Sequence, residues 1–274
     1  MNNDLLIIGR PASGKTTFLA QFLTRVRKKK SSVKLSKVPE NIKAISDAQR
    51  RLAAGKEPNT TPANSNEVIE LPLLINDKEV QLSCPDYGGE QVNSLMQSMA
   101  IDTRWQTYVN ESGSWVLFIR PNSIALSYDI TISVYKDVHG SKLDKNIMPE
   151  LSDQCLYIEL IQALLFAKKV SIRKSIQIPK LTIALTCWDE LETDKCPKEF
   201  LKEKMPLFLQ FIETNWASSK FEVLGLSAQE FSLIDNPEGS DKYQDELPEN
   251  IGYLILPDGT RDKDITKLIE KALI

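Results

Sequence analysis

Short apolar segments alternate with longer amphipathic segments along most of this 274-residue chain. Apolar runs of about four to eight residues that end in turn residues predict buried β-strands. Segments in which apolar residues recur with the spacing of helical turns predict helices that bury one face, and Leu151–Val170 is the strongest example. Strands that alternate with helices indicate a mainly parallel sheet that is covered by helices on both faces.

Six segments have the composition of strands, and a hairpin joins the second to the third. They are Asp4–Ile8, Glu67–Ile75, Lys78–Cys84, Trp115–Ile119, Lys180–Cys187 and Phe221–Leu226. Asn76 and Asp77 form the two-residue turn of the hairpin, so one edge strand should run antiparallel. Ile251–Leu256 is a further short segment of β-like composition. Pro197–Ser218 is predicted to be helical, with a kink at Pro206.

The first predicted strand leads directly into Gly9–Thr16, which has the pattern G-x-x-x-x-G-K-[ST] of a phosphate-binding P-loop. Its glycines permit a tight turn in which successive backbone N–H groups point at phosphates. Lys15 supplies positive charge to the terminal phosphates, the Thr16 hydroxyl is suited to ligate Mg²⁺, and the following helix adds its positive end. A glycine-rich turn without a ligand is the alternative. The residues expected around the phosphates are Gly9, Pro11, Ala12, Ser13, Gly14, Lys15, Thr16 and Thr17.

Composition narrows the functional classes. The net charge of −3 gives no reason to expect general binding to nucleic acid. Four cysteines without a C-x-x-C pair and a single histidine argue against a zinc site and against a histidine-based catalytic triad. No apolar run approaches the length of a membrane span, and no targeting signal is evident. We therefore expect a cytoplasmic protein with neither a membrane nor a nucleic acid as partner.

A D-x-x-G pattern follows the hairpin and runs from Asp86 to Gly89. A carboxylate at the end of this strand is placed to hold Mg²⁺ through water, opposite Thr16, and the Gly89 N–H is placed to meet a terminal phosphate. A surface Asp-Gly turn is the alternative. Because the carboxyl ends of parallel strands meet at one edge, the P-loop, Asp86 and the turn at Asp189 should converge on one nucleotide.

The order of these motifs resembles that of the Ras-like TRAFAC-class P-loop GTPases. The resemblance covers the chain from Asp4 to its terminal helix and adds Thr186-x-x-Asp189 and Ser227-Ala228 as later motifs. A finer pattern is similar to the bacterial double-GTPase families, which occur in multi-protein systems linked to conflict and phage defence. It comprises Gly55-x-x-Pro58-x-x-Thr61, Asp86-Tyr-Gly-Gly-Glu, Trp188-Asp189 and Gly252-Tyr-Leu-Ile-Leu-Pro-Asp-Gly259.

The resemblance implies a three-layer α/β/α sandwich of the P-loop NTPase fold, with a mostly parallel six-stranded sheet and one antiparallel edge strand. A single GTPase domain would span residues 1–274, with insertions at about residues 28–66 and 122–179. It would bind GTP or GDP with Mg²⁺ and hydrolyse GTP. The metal ligands implied are Thr16, Thr61 and Asp86, with Thr60 as the alternative to Thr61.

The resemblance also implies a base site around Asp189, which would accept hydrogen bonds from N1 and N2 of guanine. Thr186 stands where the family usually has Asn, and Trp188 stands where it usually has Lys. The Trp188 indole either packs on the base or belongs to the core beneath the loop. Ser227 and Ala228 would complete the site.

The candidates for hydrolysis are Lys15, Thr61, Glu90 and Gln91. Glu90 stands where many family members have Gln or His to orient the attacking water. Either Glu90 accepts the proton of that water, or Gln91 substitutes for it, or Glu90 only stabilises the start of a helix. Intrinsic hydrolysis is expected to be slow. Pro11 occupies a P-loop position that is often glycine, which is tolerable where its missing N–H is not used.

Three functions follow from these features. The leading hypothesis is a GTP-hydrolysing switch whose loops around Thr61 and Gly89 are read by a protein partner, for which the resemblance suggests a second GTPase. The alternatives are a catalytically weak nucleotide-binding scaffold and, less favoured, an ATP-dependent P-loop enzyme, because Asp189 has no evident use in reading adenine. The candidate charge-neutralising arginines are Arg10, Arg104 and Arg120, which the sequence does not distinguish.

Overall fold

The computed structural model describes residues 4–28, 31–59, 68–85, 91–92, 95, 101–125, 152–234, 236–246 and 250–273. The strands are β1 Asp4–Gly9, β2 Lys34–Leu35, β3 Ile69–Ile75, β4 Lys78–Cys84, β5 Ser112–Ile119, β6 Lys180–Thr186, β7 Phe221–Ser227, β8 Tyr253–Ile255 and β9 Arg261–Asp262. The α-helices are α1 Lys15–Arg27, α2 Lys43–Ala53, α3 Thr103–Glu111, α4 Asp153–Ala167, α5 Pro197–Lys204, α6 Pro206–Asn215, α7 Pro237–Asp245 and α8 Lys267–Leu273.

The nine strands in the described part of the chain form one sheet in the order β2-β3-β4-β1-β5-β6-β7-β8-β9. The five strands from β4 to β7 in this order run parallel, whereas β2 and β3 at one edge and β8 and β9 at the other pair antiparallel. The predicted class and its parallel centre are confirmed. The predicted count of six strands is too low, because the added strands contain only two or three residues, too few to show a periodic pattern.

Helices cover both faces of the sheet, and the side chains of β1 show how. Leu5 and Ile7 pack into one core with residues of α1, α2 and α8. Leu6 and Ile8 pack into a second core with residues of α3, α4, α5 and α6. Successive side chains of a strand point to opposite faces, so an uninterrupted apolar run is what a strand buried on both sides needs.

Two predicted local features are found at their expected positions. The hairpin between β3 and β4 turns at Asn76 and Asp77, which both have positive φ, as a type I′ turn requires. The helical segment predicted to kink at Pro206 is two helices, because α5 ends before Met205 and Pro206 begins α6. Proline suits a first helical position because it needs no N–H partner there.

The strong helix predicted over residues 151–170 is α4, and it packs against α6. Among the described residues, no helix has the length and the apolar composition needed to span a membrane.

Candidate functional site

A cleft of about 320 Å³ lies where β1, β6 and β7 end at the carboxyl edge of the sheet. This is the edge at which open α/β sheets bind ligands. The cleft brings together residues that are far apart in the sequence. Those predicted for the site that line it are Pro11, Ala12, Ser13, Gly14, Lys15, Thr16, Thr17, Thr186, Asp189 and Ala228.

The loop between β1 and α1 owes its shape to two glycines that serve different purposes. A Cβ on Gly9 would lie 2.7 Å from Ser13 Oγ and 2.9 Å from Phe118 Cβ, so only glycine lets the loop pack on β5. Gly14 has φ of +80°, and Ala12 also has positive φ at +57°. Left-handed residues within such a turn direct backbone N–H groups to its concave side, which forms an anion-binding concavity.

The ammonium group of Lys15 is held inside this loop. Its Nζ donates to the carbonyl oxygens of Gly9 at 2.6 Å and Arg10 at 2.9 Å, and Ser13 Oγ lies 3.5 Å away. Lys15 is only 3% exposed. A positive charge is therefore fixed beside the concave N–H groups and the N-terminus of α1, an arrangement that favours bound anions.

The predicted Mg²⁺ ligands are only partly within the described residues. Thr16 is half-buried at the start of α1 and lines the cleft beside Lys15. A hydroxyl oxygen there is the kind of ligand that Mg²⁺ accepts together with phosphate oxygens. Thr60, Thr61 and Asp86 lie outside the described residues.

The end of β6 brings the base-reading motif next to the P-loop. The hydroxyl of Thr186 donates to the carbonyl of Ile119 on β5 at 3.2 Å, so Thr186 ties two strands together at the cleft. A Cβ on Gly14 would lie 3.7 Å from Thr186 Cβ and 4.0 Å from Cys187 Sγ. Thr186 therefore packs against the P-loop. It occupies the position at which the GTPases that the chain resembles usually have asparagine.

Cys187 lines the cleft and was not predicted for the site. Cys187 has a positive φ of +50°, and Asp189, two residues later, also lines the cleft. Burial raises the pKa of the Cys187 thiol to about 12, so the sulfur stays protonated at neutral pH.

Asp189 is half-buried, and burial raises the pKa of its carboxyl group above the ordinary value. A hydrogen bond with the Ser227 hydroxyl opposes this shift. A partly desolvated carboxylate has lost some of its hydrogen bonds to water, so hydrogen bonds donated by a ligand stabilise it strongly. Ser227 itself is fully buried, and its Oγ accepts a hydrogen bond from Glu230 N at 2.8 Å. Ala228 lines the cleft, whereas the buried Ser227 does not, and the predicted nucleotide contact at Ser227 stays a prediction.

The side chain of Trp188 lies in the core rather than in the cleft. It is 5% exposed, and its ring packs edge-on against Phe200 with 5.6 Å between the ring centroids. A Cβ on Gly225 would lie only 2.7 Å from Trp188 Cδ2. Of the two alternatives for Trp188, the structure supports the core beneath the loop. The indole packs against β7 at Gly225, where the absence of a side chain leaves room for the ring.

Of the residues predicted to act on the attacking water, only Gln91 lies within the described part of the chain. Trp105 Nε1 donates to Gln91 Oε1 at 2.9 Å, and Trp105 is buried. The Gln91 carbonyl oxygen therefore has a structural partner on α3. Gly89 and Glu90 lie outside the described residues, and their roles stay predictions.

The three candidate arginines have different surroundings. Arg10 Nη1 donates to Asp153 Oδ1 at 2.6 Å, and Asp153 is buried at the start of α4. Arg104 is exposed on α3. Arg120 forms an ion pair with Glu190 and lines the cleft with it. Arg120 therefore lies at the site, whereas the side chain of Arg10 is bound to α4.

One wall of the cleft was missed because it consists of loop residues without a pattern of their own. The segment 57–59 faces the segment 229–234 there. Glu57 Oε1 joins them, accepting from Leu233 N at 3.3 Å, Ser232 Oγ at 3.4 Å and Gln229 Nε2 at 3.5 Å. The lining residues that were not predicted are Glu57, Pro58, Asn59, Cys187, Glu190, Leu226, Gln229, Phe231, Ser232 and Ile234. Their signal in the sequence is proximity to residues of the recognised motifs, namely Thr61, Asp189 and Ala228.

Comparisons with known proteins indicate the family of this chain. A family model described as Double-GTPase 1 matches residues 6–272. No curated protein matches the sequence. Among solved structures, the chain is similar to the Ski7 GTPase-like domain of S. cerevisiae, bound to GTP, with 16% identity and a TM-score of 0.42. That match covers 82% of this chain but only 42% of the other.

Proposed function

The chain belongs to the Double-GTPase 1 family and is a GTP-binding protein, and from that premise we propose that it hydrolyses GTP to GDP and phosphate in the cleft described above. The observation that carries the proposal is the meeting of two groups in one cavity. The buried ammonium of Lys15 marks the phosphate end, and the carboxylate of Asp189 marks the base end.

At the base end, the Asp189 carboxylate accepts hydrogen bonds from N1–H and N2–H of guanine. Adenine carries an acceptor at N1 and no amino group at C2, so it leaves the same carboxylate unpaired in a partly desolvated position. Ala228 lines this end of the cleft, while Thr186 braces β6 against β5. Selectivity for guanine therefore arises mainly from the cost of leaving Asp189 without donors.

At the phosphate end, Lys15 and the concave N–H groups of the P-loop bind the β- and γ-phosphates. Thr16 would hold Mg²⁺, together with Thr61 and Asp86 as proposed ligands. The metal, when bound, neutralises charge on the phosphate oxygens. Lys15 adds a charge that is already in place before the reaction, which is the main requirement for stabilising a phosphoryl-transfer transition state.

Water must attack the γ-phosphate in line with the leaving oxygen, and we propose that Glu90 orients it. The Gln91 carbonyl oxygen is engaged by Trp105, which favours Glu90 over Gln91 for this task. A carboxylate near the γ-phosphate adds repulsion, so slow intrinsic turnover is expected. Arg120 lines the cleft, and its guanidinium group is paired with Glu190.

We further propose a switch role, in which contacts of Thr61 and Gly89 with the γ-phosphate are lost after hydrolysis. A protein partner would read the difference. The resemblance to double-GTPases suggests a second GTPase as that partner, within a multi-protein system of the conflict or phage-defence kind, and a cytoplasmic location.

Hydrolysis is tested by measuring phosphate release from GTP with Mg²⁺ for the wild type and Lys15→Ala. Lys202→Ala, which alters an exposed lysine on α5, is the matched control. We expect Lys15→Ala to lower turnover at least about a hundredfold, whereas Lys202→Ala leaves it unchanged. Equal rates for the wild type and Lys15→Ala would refute the catalytic proposal.

A second candidate function is a nucleotide-binding scaffold that turns over little, and the engaged Gln91 favours it. The two candidates differ in how a protein partner affects the rate of GTP hydrolysis. A GTPase should hydrolyse GTP faster when the partner supplies a catalytic group that the chain lacks, whereas a scaffold should not. Phosphate release that stays at the Lys15→Ala level, with tight GDP binding retained, would support the scaffold.

A further inference from the structure

The loop that follows β7 contributes one aromatic side chain to the cleft. Among the described residues that line the cleft, Phe231 is the only one with an aromatic ring. At the carboxyl edge of the sheet the strands follow one another as β1, β5, β6 and β7. The loop after β7 therefore starts farther from the P-loop than the turn at Asp189 does, which places Phe231 at the base end of the cleft.

Neighbours on α7 hold the ring of Phe231 in one orientation. Its centroid lies 6.0 Å from that of Tyr243, with 80° between the two ring planes, which is an edge-to-face arrangement. A Cβ on Gly239 would lie 2.9 Å from Phe231 Cδ2, so the ring packs directly against the first turn of the helix. Lys242 Nζ lies 5.2 Å from the ring centroid. These three contacts leave the ring little freedom to turn.

Hydrogen bonds on both sides of Phe231 hold its backbone as well. Gln229 Nε2 donates to the Phe231 carbonyl oxygen at 3.0 Å. Two residues later, Leu233 N donates to Glu57 Oε1 at 3.3 Å, which ties the loop to the opposite wall of the cleft. The ring is thus in place before a ligand arrives, and a ligand that packs on it loses little affinity to the ordering of this side chain.

The faces of a bound base need a partner other than Trp188. The indole of Trp188 lies in the core against Phe200 and Gly225, and Asp189 meets only the edge of guanine in the proposed function. A purine base has two flat faces that gain from contact with an aromatic ring. Stacking of one base on such a ring is worth about ten- to a hundredfold in affinity.

We propose that Phe231 is the residue on which the purine base stacks. The base packs one face on the ring, while the Asp189 carboxylate accepts hydrogen bonds from its edge. This inference rests on the proposed function and deepens it, since it names a base-binding residue outside the recognised motifs. Every purine has the same kind of face, so Phe231 raises the affinity for all purine nucleotides and leaves the choice between guanine and adenine to Asp189.

The experiment measures dissociation constants of GDP, ADP and inorganic pyrophosphate by competition against a fluorescent guanine nucleotide, for the wild type, Phe231→Ala and Phe231→Tyr. We expect Phe231→Ala to raise the Kd of GDP and of ADP by a similar factor of about ten or more. Pyrophosphate has no base, so its Kd should change less than about twofold. Phe231→Tyr keeps an aromatic face and should stay within about threefold of the wild type for all three ligands.

Phe211→Ala is the matched control, because it removes another half-buried phenylalanine ring, which packs on α6 against the second core. It should leave the ratio of the Kd values of GDP and pyrophosphate unchanged. Phe231→Trp adds a second measurement, since the four natural tryptophans are buried. Its fluorescence should change when GDP binds and stay constant when pyrophosphate binds, after subtraction of the wild-type response.

The outcomes separate the two proposals. A ratio of the GDP and pyrophosphate Kd values that Phe231→Ala leaves unchanged overturns the role of Phe231, and so does an equal loss for both ligands, which indicates general damage to the cleft. If Phe231→Ala does not fold, equal fluorescence responses of Phe231→Trp to GDP and pyrophosphate overturn it instead. A wild type that binds ADP as tightly as GDP overturns the guanine selectivity of the proposed function, whereas the loss in Phe231→Ala would still report stacking.

Discussion

In the proposed function, Asp189 is the residue on which nucleotide selectivity depends most directly, and its amide analogue gives a sharp test. In Asp189→Asn one oxygen still accepts from N1–H, but the new NH₂ group faces the amino group of guanine. Xanthine carries a carbonyl at that position, which the NH₂ group can meet. We expect GDP affinity to fall roughly a hundredfold or more and XDP affinity to rise, measured by competition binding. Asp194→Ala, at an exposed residue of the same loop, should change neither.

The raised pKa of Asp189 predicts a dependence of binding on pH. Burial opposes the charged form, so this carboxyl group protonates at a higher pH than an exposed aspartate, whose value is 3.8. In the free protein, the charged form of Asp189 lowers the free energy of unfolding at pH values above the raised pKa. This cost diminishes as the pH falls through the raised pKa. The proposed hydrogen bonds to guanine need the charged form, so we expect guanine binding to be lost as the pH falls.

We expect the Kd of GDP for the wild type to rise at mildly acidic pH, while the Kd of ADP stays flat. The profile should be absent in Asp189→Asn, which cannot titrate at this position. Parallel profiles for the wild type and Asp189→Asn would assign the effect to another group, such as the phosphates of the nucleotide.

Sequence reasoning identified the residues with strict spacing, but it left open or missed those whose role depends on packing. Lys15 and Asp189 were found because P-loop chemistry and strand ends constrain their positions. The location of Trp188 could not be decided, because its burial depends on the absence of a side chain at Gly225, which is distant in the sequence. Glu57 was missed because its partners belong to a loop that only the fold brings near.

At the scale of elements, the short helical turn Trp188–Glu190 packs against β7 through the Trp188 ring. Gly225→Ala would place a methyl group against the indole, at a glycine whose φ is unremarkable, so the cost is steric. We expect a loss of about 1–3 kcal/mol in the free energy of unfolding. In a Trp188→Leu background the same change should cost less, which urea denaturation of the four proteins would show. An equal cost in both backgrounds would contradict this contact.

The loop after α2 is fastened to the segment after β7, and Glu57 is the main tie. Gly55 packs there as well, since its Cβ would lie 2.6 Å from the Ser240 carbonyl oxygen. Glu57→Ala removes the acceptor for Leu233 N and should loosen this wall of the cleft. We expect release of fluorescent GDP to accelerate about two- to tenfold and the Leu233 amide to exchange faster with deuterium. Glu40→Ala, at an exposed residue before α2, is the control. Unchanged release would show that the tie does not restrain the nucleotide.

At the scale of the whole molecule, the cleft joins segments from both ends of the chain, so a bound nucleotide should stabilise the entire fold. GDP at about one hundred times its Kd adds about 2.7 kcal/mol to the free energy of unfolding, which corresponds to roughly 5–10 °C in Tm. Thermal unfolding with GDP should show this shift, and ADP at the same concentration should not. A shift that is equal for both nucleotides would argue against guanine selectivity.

The general architecture was more predictable than its edges. Long apolar strands and amphipathic helices carry strong periodic signals, and they led to the P-loop fold with a parallel centre. The edges consist of strands of two or three residues, and their pairing depends on neighbours that the sequence does not reveal.

The ion pair between Arg10 and Asp153 has a thermodynamic consequence. It joins the phosphate loop to the first residue of α4, and Asp153 also accepts a hydrogen bond from the backbone N–H of Ala125 at 3.0 Å. Linkage between two sites is reciprocal. Consider a protein that binds α4, favours one position of Arg10 and thereby alters nucleotide affinity. The nucleotide must then alter the affinity for that protein by the same factor.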